Sequence, residues 1–402
     1  MRPHVLFLFT GLNLLDYLDR YLVGALGTPI ARELGLSGGE FGFLGTAFLL
    51  VYFLTSPVFG YLGDRYGRLG LMAAGAVLWS LATSLTFWVT SYAGLLLARG
   101  LVGVGEASFG TLAPAYLGDV LPLERRSRAL GWFYLAIPLG FALAHLAAGL
   151  LVQKWGWRPV FLLAGLPGLA LAGGLFLLPG PGAPAPEALP PAPGRALRRL
   201  WAIPTLRLVT LGYGMLTFTL GGLAHWLTRF LVEEKGLAQT EANYLLFAAI
   251  AVAGTAGTVV GGCLGSGWQR RLPASPLWVS GLGLVAAWPL ALVVIVSAVA
   301  AFYLPCLMVA IFLLFLHPGV LTAVIVSVAP PALRAQAVAL NIVIIHLIGD
   351  APSSLLIGWV ADHLNLTWGV GLTLVSLLLA AVCILAAIPR LPRDLVQPLA
   401  TK

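Results

Sequence analysis

Long apolar stretches alternate with short polar ones along the whole chain. A helix needs about 20 residues, mostly apolar, to cross a bilayer. Twelve stretches fit that length, and the predicted spans are 4–26, 40–62, 69–89, 92–118, 128–152, 158–178, 205–231, 241–264, 276–295, 299–326, 334–360 and 367–388. Only length separates the ninth span from the tenth, because no Asp, Glu, Lys or Arg occurs between Arg271 and Arg334.

The composition supports the same class of protein. Hydrophobic residues make up 59% of the chain and charged residues only 9%, whereas about a quarter of a soluble domain is charged. The three cysteines fall inside apolar spans, so no disulfide framework is indicated. We therefore predict an all-α polytopic membrane protein with twelve transmembrane helices.

A proline-rich segment separates the first six spans from the last six. Such a composition favours an extended linker, and its end is basic, with Arg195, Arg198 and Arg199. The predicted parts are an N-terminal six-helix half (1–178), a cytoplasmic linker (179–204), a C-terminal six-helix half (205–390) and a cytoplasmic tail (391–402).

The net charge of +8 is unevenly distributed over the loops. With the N-terminus placed inside, most Lys and Arg residues fall on the cytoplasmic side, which is the positive-inside pattern. We therefore expect both termini in the cytoplasm and the protein in the plasma (inner) membrane. Because the basic charge is explained by topology, it does not indicate a nucleic-acid partner.

The fourth predicted helix carries Arg99 and Glu106 inside its apolar stretch. Seven residues separate them, so they lie on nearly the same face, about 10 Å apart along the axis. A charge near the bilayer centre costs about 2.5–3.5 kcal/mol on insertion scales, so such residues usually face a cavity and carry function. Proton coupling or substrate binding is one interpretation, and a structural ion pair between the two is the other.

The first helix carries Asp16, Asp19 and Arg20, which share one flank because they are three and four residues apart. Asp19 and Arg20 are deep enough to need a polar cavity, and as a pair they can partly neutralise each other. Asp16 has a second interpretation, as a helix-packing residue with a Ser or Thr partner.

The loop Gly60–Arg68 resembles the signature loop of the major facilitator superfamily, whose members have two six-helix halves. Its glycines allow a tight turn, and Asp64 can meet a helix N-terminus, where a negative charge is stabilised. The later loop 119–128 adds an acidic helix end and a basic cluster. By this resemblance the candidate cytoplasmic gate consists of Gly60, Gly63, Asp64, Arg65, Gly67, Arg68, Asp119, Arg125 and Arg128. For the arginines a role in topology alone is the alternative, and we favour it for Arg126.

The second half repeats the pattern of the first more weakly. The segment Gly261–Arg271 is a degenerate copy of the signature loop that lacks the acid, which indicates two pseudo-symmetric halves. Polar residues in its spans are few: His225 with Trp226, and His346 four residues before Asp350. These are possible cavity residues, and hydrogen bonding between packed helices is the alternative for the histidines.

Several stretches resemble one family of that superfamily, the Spinster family of lysolipid and sphingolipid transporters. The matching segments are Tyr17–Tyr21, Phe59–Tyr66, Arg99–Ser108, Arg126–Arg128 with Phe133–Pro138, and His346–Asp350. The resemblance implies a proton-linked carrier of single-chain lipids. It also implies roles in coupling and substrate binding for Asp19, Arg20, Arg99 and Glu106.

Three functions fit these observations. The first is a secondary transporter of amphiphilic lipids that works by alternating access, with the proton as coupling ion and no other cofactor. The second is a proton-coupled facilitator for drugs or other hydrophobic organic molecules, and the third is a lipid sensor that does not transport. An enzyme is not indicated, because metal-ligand spacing, a nucleophile elbow and a phosphate-binding loop are all missing. We expect a small amphiphile and membrane lipids as partners, and a functional monomer.

Overall fold

The computed structural model describes residues 3–178 and 193–396, and this part of the chain is helical with no strand. The helices are α1 (Pro3–Ala25), α2 (Gly27–Leu34), α3 (Gly38–Tyr66), α4 (Leu69–Leu85), α5 (Tyr92–Val120), α6 (Leu123–Tyr134), α7 (Ala136–Trp155), α8 (Arg158–Phe176), α9 (Pro193–Ala202), α10 (Pro204–Glu233), α11 (Gln239–Ala249), α12 (Thr255–Gly267), α13 (Ser275–Val296), α14 (Ala300–Leu314), α15 (Pro318–Val328), α16 (Arg334–Ile345), α17 (Ala351–His363), α18 (Leu366–Ala387) and α19 (Leu391–Val396). One π-helical turn, Ile250–Gly254, joins α11 to α12, and another, His346–Asp350, joins α16 to α17.

The predicted spans agree with these helices to within a few residues. Within residues 3–178 and 193–396, eleven helical segments are long and apolar enough to cross a membrane. The first span corresponds to α1, whose apolar sequence is interrupted by Asp16, Asp19 and Arg20. A gap after Val296 separates the ninth span from the tenth, as length predicted, and the tenth span is itself interrupted between α14 and α15.

Two compact units make up the fold. Unit 1 comprises Met1–Val120, Phe133–Ala196 and Pro331–Ala339, and unit 2 comprises Leu121–Trp132, Leu197–Pro330 and Leu340–Lys402. Each unit therefore contains one short segment from the other half of the sequence. In unit 1 that segment includes the first turns of α16, which become important at the candidate gate.

Helix α5 lies at the centre of unit 1, where it packs along both α3 and α4. Small residues allow this close approach. A Cβ on Gly103 would lie 2.9 Å from the carbonyl oxygen of Phe48 on α3, and a Cβ on Gly105 would lie 2.6 Å from that of Gly75 on α4. Helix α1 packs against α7 and α8 and also touches α5. These contacts bring the charged residues of α1 and α5 together.

Unit 2 is built around α18, which packs along both α10 and α13. Its core is apolar, with Phe230, Leu231, Tyr303 and Val370 almost fully buried. The tail prediction changes here, because part of the expected tail forms α19. The Asp394 carboxylate in that helix accepts a 2.9 Å hydrogen bond from the backbone N–H of Thr205, at the start of α10.

The linker prediction is wrong in its second part. Residues 179–192 lie outside the described residues, but Pro193–Ala202 form the helix α9 where an extended basic end was expected. Arg, Ala and Leu favour helix, and the apolar Ala196 and Leu200 are one turn apart, so a single face of α9 is buried.

Candidate functional site

Five charged side chains from α1 and α5 form a cluster inside unit 1, which we call the acid–arginine cluster. It consists of Asp16, Asp19, Arg20, Arg99 and Glu106. Four of them are at most 3% exposed, and the Arg20 side chain is 16% exposed. The sequence predicted that these residues face a protein-lined cavity, and their burial shows that protein surrounds them.

Arg20 is one of two arginines that join the two helices. Its Nη2 lies 3.0 Å from Glu106 Oε2 and 3.1 Å from Asp16 Oδ1, so one nitrogen bridges two carboxylates. The Asp16 contact spans one helical turn, as the i,i+4 spacing predicted. Asp19 and Arg20, which were expected to neutralise each other partly, form no direct ion pair, because adjacent residues point about 100° apart around a helix.

Arg99 pairs with Asp19, and their closest atoms are 3.5 Å apart. The structural ion pair between Arg99 and Glu106, which was the alternative to a functional role, is not formed. Two helical turns place these residues on one face but about 10 Å apart along the axis, which is too far for direct contact. Each arginine therefore reaches from its own helix to an acid on the other helix.

Aromatic rings surround both guanidinium groups. The Cζ of Arg20 lies 4.7 Å from the ring centre of Tyr17 and 4.8 Å from that of Tyr52, and the Cζ of Arg99 lies 4.5 Å from that of Phe48. Cation–π attraction of this kind offsets part of the cost of taking a guanidinium out of water. The sequence analysis missed Phe48 and Tyr52, although their i,i+4 spacing on α3 places them on one face.

The charges of the cluster do not balance. Three carboxylates face two guanidinium groups, so the cluster carries one negative charge when all five are ionised and none when one acid holds a proton. Glu106 Oε1 and Asp19 Oδ1 are buried without a hydrogen-bond partner among the described residues, and Asp19 Oδ2 has only its 3.5 Å contact with Arg99 there. A buried, unpaired carboxylate oxygen is costly, so these atoms are natural places for a proton.

A second polar site lies at the turn between α3 and α4, in unit 1. Asp64 accepts 3.0 Å hydrogen bonds from the backbone N–H groups of Ala335 and Gln336, in the first turn of α16. The prediction that Asp64 meets a helix N-terminus is thus confirmed. Arg68 donates to Asp64 over 2.8 Å and also contacts Asp119.

Other predicted gate residues have different surroundings. Arg334, which the sequence analysis did not include, donates to Asp119 over 2.7 Å. Gly60 permits close packing on α16, since a Cβ there would lie 2.9 Å from Ala339 Cβ. Gly63 packs as closely on α5, and Gly67 has a φ of 95°, which favours glycine. Arg65 lies outside this network, because it is exposed and donates to Tyr61.

The remaining arginines of the candidate gate belong to unit 2. The side chains of Arg125 and Arg128 are exposed, and Arg128 contributes only its backbone N–H, which donates to Ser266 over 2.8 Å. Arg126, which we had assigned to topology alone, instead donates to Ser327 over 2.9 Å. The resemblance found the segment, but it did not distinguish which arginine points inward.

The polar residues of the second half are only partly brought together. His346 Nδ1 lies 2.6 Å from Asp350 Oδ2 within the π-helical turn, as the i,i+4 spacing predicted. Trp226 donates from its indole to the carbonyl of Ser354 over 3.0 Å. His225 is exposed and packs against the ring of Trp226.

Comparison with known proteins agrees with this architecture. A family model described as Major Facilitator Superfamily matches residues 9–349. Protein spinster homolog 1 of Homo sapiens is 33% identical over 399 residues, which cover 89% of this chain and 72% of that protein. The chain belongs to the Spinster family. Protein spinster homolog 3 of Danio rerio is 30% identical, over 88% of this chain and 76% of its own length.

Solved structures confirm the fold of this Spinster protein. A bacterial homologue of the human lysosomal transporter Spinster, in an inward-facing and unoccupied conformation, has a TM-score of 0.66 and 23% identity, and covers 99% of this chain and 100% of its own. The proton:xylose symporter XylE has a TM-score of 0.76 at 16% identity, with 97% of each chain covered. The chain is therefore a multi-pass membrane transporter with the twelve-helix major facilitator fold, and not an enzyme.

Proposed function

We propose that this Spinster protein moves single-chain amphiphilic lipids, such as lysophospholipids or sphingolipid-like molecules, by proton-coupled alternating access. The observation that carries the proposal is the acid–arginine cluster, with its three buried acids and two buried arginines. A site that is one proton from neutrality, and is closed to most solvent, has the composition needed to exchange a proton during transport. No cofactor besides the proton is required.

The position of Arg20 suggests how protons and substrate are linked. It holds two acids and is the most exposed of the five side chains, so an anionic group that reaches the cluster meets this residue first. A phosphate competes with Glu106 for the same guanidinium group. Protonation of Glu106 removes that competition, and proton uptake and phosphate binding then favour each other, as linkage requires.

The decisive test is pH-gradient-driven flux of labelled lysophospholipid in proteoliposomes. Glu106→Gln keeps the shape and hydrogen bonding of the protonated acid, so we expect loss of gradient-driven flux with binding retained. Asp19→Asn shows whether the second acid contributes. Glu234→Gln, which changes an exposed glutamate in the same way, is the matched control and retains wild-type flux. Wild-type gradient dependence in Glu106→Gln would remove this residue from coupling and move the proposal to Asp19.

Two measurements separate the proposal from its alternatives. Counterflow of labelled lysophospholipid without any gradient occurs with a carrier and not with a non-transporting sensor. Thermal melting of the purified protein with lysolipids, hydrophobic organic cations and sugars separates a lipid carrier from a drug facilitator, because a ligand that binds the folded state raises its melting temperature.

We also propose a functional monomer in the plasma (inner) membrane with both termini in the cytoplasm, on the basis of the loop charges. In a cysteine-free background, a cysteine at the exposed Ala202 should react with an impermeant thiol reagent only from the inside. A cysteine at the exposed Lys154 should react from the outside. The reverse pattern would invert the topology.

A further inference from the structure

Helix α9 is a short basic helix immediately before the membrane-spanning helix α10. Arg195, Arg198 and Arg199 are all exposed, and their i, i+3 and i+4 spacing places them on one face. Ala196 and Leu200 lie on the opposite face and are fully buried. The helix is therefore docked on the protein through its apolar face and presents its three arginines outward.

These three guanidinium groups have no acidic partner in the described part of the chain. No ion pair there involves any of them. Asp394, in α19, is an acid that contacts the start of α10. Its carboxylate already accepts a hydrogen bond from the backbone N–H of Thr205. Arg207, in the first turn of α10, is exposed as well and adds to the positive charge at this end.

The place of α9 in the chain puts this charge at the membrane surface. The apolar helix α10 begins at Pro204, only two residues after α9 ends. Trp201, whose ring is partly buried, lies between the arginines and the span, and tryptophan is enriched at the headgroup level. A basic amphipathic helix at that depth faces the phosphates of the adjoining leaflet.

We propose that the exposed face of α9 is a binding surface for anionic phospholipid headgroups of the surrounding membrane. The partner is the bilayer lipid and not the transported substrate, so the proposal does not depend on what the protein carries. Guanidinium groups bind phosphate oxygens in a bidentate manner. Three of them on one docked helix form a surface that a zwitterionic headgroup neutralises less well than an anionic one.

The test is a lipid titration of the purified full-length protein in detergent, read as melting temperature. Phosphatidylglycerol should raise the melting temperature, and phosphatidylcholine should raise it much less. Each basic residue near a charged surface contributes about fivefold in affinity. The double variant Arg195→Gln, Arg199→Gln should therefore need about 10- to 30-fold more phosphatidylglycerol for half of the effect. Glutamine is chosen because it also favours helix.

The matched control is Arg270→Gln, Arg271→Gln, which removes two exposed arginines from a turn between spanning helices. Its titration should resemble that of the wild type. The proposal is overturned if phosphatidylcholine stabilises equally, if the α9 variant titrates like the wild type, or if the control weakens binding as much as the α9 variant. Should the double variant fail to fold, Arg198→Gln alone should still need about fivefold more lipid, and an unshifted titration would again overturn the proposal.

Discussion

The two units differ in the polar side chains that they bury between their helices. Unit 1 buries five charged side chains between α1 and α5, whereas a buried polar network of unit 2, between α10 and α18, consists of hydroxyl groups. Thr219 on α10 bonds the Ser376 hydroxyl over 2.7 Å and the Thr373 carbonyl over 3.3 Å. Beside them lies a small cavity of about 40 Å³, lined almost entirely by apolar side chains.

This difference indicates that the two units have different roles in the transporter. No Asp, Glu, Lys or Arg occurs between Arg271 and Arg334, so three helices of unit 2, α13, α14 and α15, contain no acidic residue, lysine or arginine. In the proposed mechanism, proton exchange is therefore assigned to unit 1. The apolar volume of unit 2 is better suited to hydrocarbon, which agrees with the amphiphilic substrate that we propose.

The same contrast recurs in a pair of equivalent turns. Gly60, Gly63 and Asp64 in unit 1 have the same spacing as Gly262, Gly265 and Ser266 in unit 2. Asp64 accepts two backbone N–H groups from the start of α16, and Ser266 accepts one, from Arg128 near the start of α6. In unit 1 the acceptor of these backbone hydrogen bonds is a charged carboxylate, and in unit 2 it is a neutral hydroxyl.

The largest effect is expected from Arg20→Ala. This change removes the partner of both Asp16 and Glu106 and leaves two buried carboxylates without a counter-charge. Breaking a buried pair by removing one partner costs about 3–5 kcal/mol, so the melting temperature and the yield of folded protein should fall sharply. Arg99→Ala should cost less, because Arg99 holds only Asp19, and at 3.5 Å.

Arg65→Ala is the matched control, since this arginine is exposed and its contacts are with the tyrosines Tyr61 and Tyr66. Its melting temperature should remain close to that of the wild type. If Arg20→Ala melts no lower than this control, the acid–arginine cluster does not hold unit 1 together and the contrast between the units has no energetic meaning.

The next effect is expected at Asp64. Asp64→Asn keeps one acceptor oxygen but loses the charge that faces Arg68 and the N-terminus of α16, where a carboxylate is stabilised by about 0.3–1 kcal/mol or more. Amide hydrogen exchange of Ala335 and Gln336 should accelerate by roughly tenfold, which corresponds to about 1.4 kcal/mol.

Ser266→Ala is the equivalent change in unit 2, and it should accelerate exchange at Arg128 by a smaller factor, because a neutral acceptor is weaker than a charged one. Equal acceleration at the two turns would contradict the view that only unit 1 depends on charge.

Much of this architecture could be predicted from the length and composition of apolar stretches and from the spacing of residues along single helices. The twelve spans could be predicted because a bilayer imposes a length and a composition on each helix. The Asp16–Arg20 and His346–Asp350 pairs could be predicted because i,i+4 spacing fixes neighbours on a single helix. The position of Asp64 followed from its loop, since an acid after a spanning helix is stabilised at a helix N-terminus.

The partners across helices could not be predicted in the same way. Which acid Arg20 or Arg99 reaches depends on the rotation of α1 against α5, and glycine contacts with α3 and α4 help to set the position of α5. Sequence spacing contains no information on that rotation. The role of Arg334 was missed for a similar reason, because its partner Asp119 is far away in the sequence.

A smaller effect is expected in the hydroxyl network of unit 2. Thr219→Val keeps the volume but removes the bond to Ser376, and a neutral hydrogen bond contributes about 0.5–1.5 kcal/mol. The melting temperature should fall by a few degrees, and pH-gradient-driven flux should keep its wild-type dependence. Thr228→Val, at a partly buried position on the same helix, is the control. Loss of gradient dependence in Thr219→Val would mean that unit 2 takes part in coupling.

The smallest effect is expected at an exposed ion pair, Glu33 with Arg158, which contrasts with the buried acid–arginine cluster. Glu33, in α2, accepts hydrogen bonds from Arg158 and from the Trp157 indole, and these bonds lower the pKa of its carboxyl below the ordinary 4.5. A lowered pKa means that the contact stabilises the fold above pH 4.5 and that this contribution is lost as the pH falls through the folded-state pKa. Because the Glu33 side chain is 50% exposed, the contribution should be only a few tenths of a kcal/mol. Glu33→Gln should therefore melt slightly below the wild type at pH 7, and the two should converge at about pH 3. A gap that stays constant or widens on acidification would show that Glu33 acts through packing and not through its charge.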